Sequence, residues 1–136
     1  MTYFYKIYER FLGKVTDDMY ISWSEEETYE GLQGFFALAI VNFRFPKQNL
    51  FDYDLDLGEF NLKLTPEEID IITTLMIIEW LKRQITTVRL TELQYTGSDA
   101  KVLNTKNQLT GLLNLKQDYE KQLEKKLFYY QNHRQT

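Results

Sequence analysis

The pattern of apolar and polar positions changes period along the chain, and each change marks an element. The densest apolar stretch runs from Thr65 to Arg89. Thr65 suits an N-cap, Pro66 suits the first helical position, and Glu68 stands three residues on, where it completes a capping box. Behind this start, Ile69, Ile71, Ile72, Leu75, Met76, Ile77, Ile78, Trp80, Leu81, Ile85 and Val88 cover far more than one stripe of a helical wheel. A helix apolar nearly all round is buried on several sides. Its expected length is about 36 Å. Glu79, Lys82 and Arg83 interrupt the apolar run, which leaves it too short to span a membrane. The rest of the chain is expected to pack around this helix.

Residues 3–13 read as a short helix, with Phe4, Ile7, Tyr8, Phe11 and Leu12 on one face and Gly13 as its stop. Residues 12–23 then form a connection, in which Thr16, Asp17 and Asp18 favour a turn. Ser24 and Glu27 form a second capping-box pair, and Tyr29, Leu32, Phe35, Phe36, Ala39 and Ile40 mark the buried face of the helix that follows. Gly31 and Gly34 weaken that helix by about 1 kcal/mol each relative to Ala unless they permit close packing. Phe45-Pro46 ends it, because a residue before proline is pushed out of the helical region.

Residues 50–64 switch to period two. Phe51, Tyr53, Leu55 and Leu57 alternate with Asp52, Asp54 and Asp56, and after Gly58 the apolar Phe60, Leu62 and Leu64 alternate with Glu59, Asn61 and Lys63. This predicts a small β-hairpin whose apolar side packs on the helices and whose acidic side faces outward. After the central helix, Gly97, Ser98 and Asp99 are turn residues, and Ser98, Asp99 or Asn104 could cap the next element. That element, from about 104 to 132, is a second long helix carrying Leu109, Leu112, Leu113, Lys116, Tyr119, Leu123, Leu127 and Tyr130 at a three-to-four spacing. The expected fold is a single mainly α domain over residues 1–136. It is a bundle of two long and two shorter helices with a hairpin at about 50–64.

Composition narrows the function. A 43% hydrophobic share over 136 residues supports a real core and argues against disorder. The net charge of −4 argues against binding nucleic acid through phosphate neutralisation. The absence of cysteine removes disulfides, thiol catalysis and Cys-ligated metal. The N-terminus has no apolar signal-peptide core, so the expected compartment is a reducing cytoplasm or a particle assembled there.

Candidate chemistry is sparse. The run Asp52, Asp54, Asp56 fails as a calcium loop, because Leu57 and Lys63 stand where Gly and Glu are required. It reads as a solvated strand face, or as a negative wall if repeated around an oligomeric ring. His133 has no partner constellation, and the glycines are scattered. Glu67, Glu68, Asp70 and Glu79 read as dipole partners and one polar stripe. No catalytic residue, cofactor or metal is assigned, and the chain is not expected to be an enzyme. Leu127, Phe128, Tyr129 and Tyr130 are four consecutive large residues at the end of a helix, of which a core can take about half. Either Phe128 and Tyr129 are simply exposed, or they form a docking end. The aromatics at Tyr3, Phe4, Tyr5 and Tyr8 raise the same choice.

The order of several segments carries a resemblance over most of residues 20–130. They are SEEETYEGLQGFFALAI with its exit at Phe43, Phe45 and Pro46, the alternating acidic hairpin, and LTPEEIDIITTLMIIEWLKRQI. After them come the turn at Tyr95, Gly97, Ser98 and Asp99 and the polar start of the last helix around Lys106, Asn107, Gln108 and Leu109. The order resembles that of the small head-to-tail connector proteins of tailed bacteriophages, neck or adaptor proteins that form a ring beneath the portal. The resemblance implies a structural virion protein, usually twelvefold, that seals the DNA channel and offers a platform for the tail. It implies as partners the portal protein, neighbouring copies, and the next neck or tail protein, with DNA passing through without tight binding and no membrane contact. It implies a place in the virion neck, reached from the host cytoplasm. On this reading the helix end at Leu127, Phe128, Tyr129 and Tyr130 docks on the portal or a neighbour, and Asp52, Asp54 and Asp56 face the channel or the next ring. Truncation after Glu124 would then leave a folded domain that no longer enters particles. The alternatives are a tail-completion or tail-assembly protein, or a small acidic helical binding module such as a host-enzyme inhibitor.

Overall fold

The computed structural model describes residues 2–19, 25–92 and 99–132. Among them the chain runs β1 (Thr2–Tyr3), α1 (Phe4–Met19), α2 (Glu25–Asn42), β2 (Tyr53–Asp54), β3 (Glu59–Phe60), α3 (Pro66–Glu92) and α4 (Asp99–Asn132). The fold is mainly α, with four helices and a small antiparallel sheet of order β1-β3-β2.

α3 begins as its sequence dictates. The Thr65 N–H donates to Glu68 Oε1 at 2.9 Å, and the Glu68 N–H donates to Thr65 Oγ1 at 3.2 Å. These bonds satisfy donors that a helix start otherwise leaves open. Ile71, Ile72, Leu75, Met76, Ile77, Ile78, Trp80 and Leu81 are all buried, as are Ile85 and Val88 a turn and more further on. A helix buried on so many faces needs partners on each, and α3 contacts α1, α2 and α4. No helix among the described residues is long and apolar enough to cross a membrane.

α1 does not stop at Gly13 but continues to Met19. Val15 extends the buried face of Phe4, Ile7, Tyr8 and Phe11. Its packing outweighs the roughly 1 kcal/mol that an internal glycine costs. α2 buries Leu32, Phe35, Phe36, Ala39 and Ile40 as expected. Ser24 of its capping pair lies outside the described residues, as do the side chains of Glu27 and Tyr29. The helix ends at Asn42, ahead of Phe45-Pro46. Phe43 turns inward against Tyr130, with ring centroids 5.4 Å apart, while Phe45 takes a left-handed φ of 55° and is exposed.

The hairpin is present but smaller than its period-two pattern, with strands of two residues each. Two features cut it short. Asp54 Oδ1 accepts the N–H of Asp56 (2.9 Å) and of Leu57 (3.1 Å), drawing the chain into a turn closed by Gly58 at a φ of 66°. Beyond Phe60 the backbone leaves the sheet for α3. The expected apolar side is therefore divided. Phe60 and Leu64 are buried and Tyr53 is half-buried, but Phe51, Leu55 and Leu57 are exposed. The opposite side is divided too: Asp52 and Asp56 are exposed, Asp54 is half-buried, and Glu59 is buried. The third strand was not predicted. Thr2 pairs with Phe60 and Tyr3 with Glu59, placing β3 in the middle of the sheet. The Leu64 N–H donates to Thr2 Oγ1 (2.9 Å), and the Phe4 N–H donates to the Gly58 carbonyl (2.9 Å), so the N-terminus is stitched to both ends of the hairpin.

α4 starts at Asp99, so Asn104 lies inside the helix rather than at its cap, and Ser98 and the turn residues before it lie outside the described residues. Its buried positions are Thr105, Tyr119, Leu127 and Tyr130, with Leu109, Leu112, Leu115, Lys116 and Leu123 half-buried. Leu113 is exposed, contrary to the expected face. Lys126 reaches α3, at 3.1 Å from Asp70 and 2.9 Å from Thr74, while Tyr130 reaches Glu68. α4 therefore runs antiparallel to α3.

Candidate functional site

Two surfaces stand out, one concave and one convex. The concave one is a groove of about 740 Å³. Its floor is an aromatic cluster formed by three segments, Phe4 from α1, Phe36 from α2 and Tyr53 from the hairpin, with the fully buried Phe60 packed behind them. Phe4 lies 4.6 Å from Phe36 and 5.2 Å from Phe60, and Phe36 lies 5.9 Å from Tyr53, measured between ring centroids. Most of these pairs meet at steep angles, which suits the ring quadrupoles. One wall is Tyr3 and Tyr5, stacked at 5.6 Å and 24° and both substantially exposed. The other is the outer face of α2, where Gly34 and Ala37 leave room. A Cβ built at Gly34 would meet nothing within 4 Å, so this glycine opens the groove and does not bring helices together. A Cβ at Gly31 would make only an ordinary 3.8 Å contact with Phe35 of its own helix. Leu55 and Leu57, held out by the Asp54 turn, form the rim. Asp56 is the sole charged residue lining the groove among the described residues.

The convex surface is the outer face of the last turns of α4. The four consecutive large residues divide cleanly. Leu127 and Tyr130 belong to the core, while Phe128 is 62% and Tyr129 69% exposed. Phe128 and Tyr129 meet edge to face at 5.8 Å. Lys121 and Lys125 lie on the same helical face and are also exposed.

Between these surfaces lies a buried polar cluster that fixes the end of α4. Glu68 is 1% exposed. Its Oε2 accepts the Tyr130 hydroxyl at 2.9 Å, and its Oε1 accepts Gln48 Nε2 at 2.6 Å as well as the capping N–H of Thr65. The Tyr130 oxygen in turn accepts the Lys47 N–H at 2.7 Å, and the Lys47 ammonium sits 4.8 Å over the Tyr130 ring. A buried carboxylate is tolerated when its lone pairs are filled in this way. The loop after α2, the start of α3 and the end of α4 meet at this carboxylate. Burial pushes the Tyr130 hydroxyl from 10.0 up to about 12; the Lys47 N–H opposes the rise and Glu68 adds to it. The folded state thus holds this proton more tightly than the unfolded chain does. Its contribution to stability is full below pH 10 and is lost between pH 10 and about 12. Urea unfolding of the parent and of Tyr130→Phe across that window is expected to show a steeper fall for the parent. Equal slopes would contradict the assignment.

The other residues singled out in the sequence are dispersed among local roles. Asp52 Oδ1 accepts Asn61 Nδ2 at 2.9 Å and Asp54 caps the turn, while the Asp56 carboxylate has no partner among the described residues. The three do not converge, and no group of three His, Asp or Glu among the described residues could hold a metal ion. His133 lies outside the described residues. Comparison with protein-family models, curated proteins and solved structures returns no match. Sequence reasoning had flagged Tyr3, Tyr5 and Tyr8 but missed Gly34, Ala37, Leu55 and Leu57 as groove residues. The signal available for Leu55 and Leu57 was Asp54, whose side chain favours a turn two and three residues on.

Proposed function

We propose that this chain is a ring-forming structural subunit, the head-to-tail connector that its sequence resembles, docking on a portal and presenting a platform to the tail. One observation carries the reading. A single chain of this size displays two separate apolar surfaces, a groove walled by Tyr3, Tyr5, Leu55 and Leu57 and a ridge carrying Phe128 and Tyr129. Exposed aromatic and leucine side chains of this number mark places where a soluble domain meets partners. Two unlike surfaces suit a head-to-tail contact, the kind that closes into rings. The chain's net charge of −4 and the exposed Asp52 suit a part past which DNA moves without sticking.

The test separates surface from core. Replacing both Phe128 and Tyr129 by Ser removes exposed side chains alone, so folding stability should stay within about 1 kcal/mol of the parent. Losing two aromatic anchors at an interface should lower the chain's occupancy in purified phage particles by roughly 30-fold. Quantitative mass spectrometry of particles from complemented infections reads this directly. Normal occupancy would remove the ridge from the docking account, and absence of the parent chain from particles would overturn the connector reading itself.

A further inference from the structure

We infer that the groove of one copy receives the α4 ridge of a second copy, with Lys125 reaching the Tyr3–Tyr5 wall and Asp56 while Phe128 and Tyr129 fill the groove. The inference rests on the ring-subunit reading and names the contact between neighbours. Four observations support it.

First, the groove is preformed and apolar, with a floor of packed rings and walls of Tyr3, Tyr5 and Leu57 that stay exposed among the described residues. Second, the ridge is continuous. Lys121, Lys125, Phe128, Tyr129 and Asn132 recur at i, i+4, i+7, i+8 and i+11, all exposed, opposite the buried stripe of Tyr119, Leu123, Leu127 and Tyr130. Third, the charges are complementary. Among the described residues, Asp56 is the one charged residue that lines the groove, its carboxylate has no partner, and no cation lines the groove. The ridge carries Lys121 and Lys125, and neither is in an ion pair among the described residues. An ammonium placed over tyrosine faces beside a carboxylate gains from both. Fourth, the two surfaces share no residue and no element, since the groove is built from β1, α1, α2 and the hairpin and the ridge from α4. One copy can therefore engage a neighbour on each side, and the contact is heterologous.

The absence of cysteine makes the test direct. The full chain carrying both Leu57→Cys and Tyr129→Cys is oxidised at millimolar concentration and resolved on a denaturing gel, beside each single variant. The expected result is a ladder of multimers from the double variant and, when the two singles are mixed, a mixed dimer. Each single variant alone should stay largely monomeric. Lys125→Glu should suppress the ladder several-fold, and Asp56→Lys added to it should restore the ladder. A double variant that gives no ladder, either in solution or inside purified particles, overturns the contact. Failure of the charge exchange to restore laddering overturns the placing of Lys125 against Asp56. A ladder from a chain that is absent from particles supports the contact and overturns the connector reading, so the two are tested apart.

Discussion

Truncation after Glu124 is expected to unfold the domain and not merely to release a docking end. The residues lost include Leu127 and Tyr130, each 3% exposed, and with Tyr130 goes the hydroxyl that links Glu68 to the Lys47 backbone. Removing a buried leucine costs about 2–5 kcal/mol and a buried aromatic about 3–5. Their sum is comparable to the whole stability of a typical domain, about 5–15 kcal/mol. Phe43, which packs on Tyr130 at 5.4 Å, loses its partner as well. Circular dichroism of the truncated chain should show lost helicity and no cooperative melt above room temperature. A truncated chain that melts cooperatively near the parent's temperature would show that the end of α4 lies outside the folding unit. The burial of Leu127 and Tyr130 thus replaces the sequence-based expectation of a folded truncated domain with one of unfolding. The docking test belongs to Phe128 and Tyr129 alone.

The second large effect is expected at Glu68. Glu68→Ala removes the acceptor for three donors: the Thr65 N–H, Gln48 Nε2 and the Tyr130 hydroxyl. Losing a helix cap costs about 1 kcal/mol, and each buried donor left without an acceptor costs about 1–3. The expected loss is about 3–5 kcal/mol, measured by urea unfolding with an unchanged m-value. Glu68→Gln keeps one acceptor oxygen and should lose about 1–2 kcal/mol. The order of the two variants is the informative part. If Ala and Gln proved equally mild, water would be replacing the carboxylate, and the site would not tie α4 to α3.

These two variants also show why some of the fold was legible in the sequence and some was not. α3 was legible because its signals are local: Thr65, Pro66 and Glu68 declare its start, and its apolar residues fill nearly every face. The split at Leu127–Tyr130 follows from angular position. Tyr119, Leu123, Leu127 and Tyr130 form one stripe, which leaves Phe128 and Tyr129 outside it. The second role of Glu68 was not legible, because its partners Gln48 and Tyr130 are far from it along the chain. The same holds for β1, which pairs Thr2 with Phe60, and for the extension of α1 past Gly13, which depends on a slot for Val15 against the rest of the core. Local propensity is overridden wherever packing offers more than the roughly 1 kcal/mol at stake. The groove is the extreme case. It is built from three distant segments, and its exposed Leu55 and Leu57 break the alternation that predicted them buried.

The measurement that tests the ring-subunit account most directly is the mass of the purified chain by light scattering, alone and with portal protein added. The account predicts a monomer or small oligomer alone and a closed multimer of defined mass on the portal, lost when Phe128 and Tyr129 are both replaced by Ser. A chain that stays monomeric beside the portal at every ratio, and that is missing from purified particles, would contradict it.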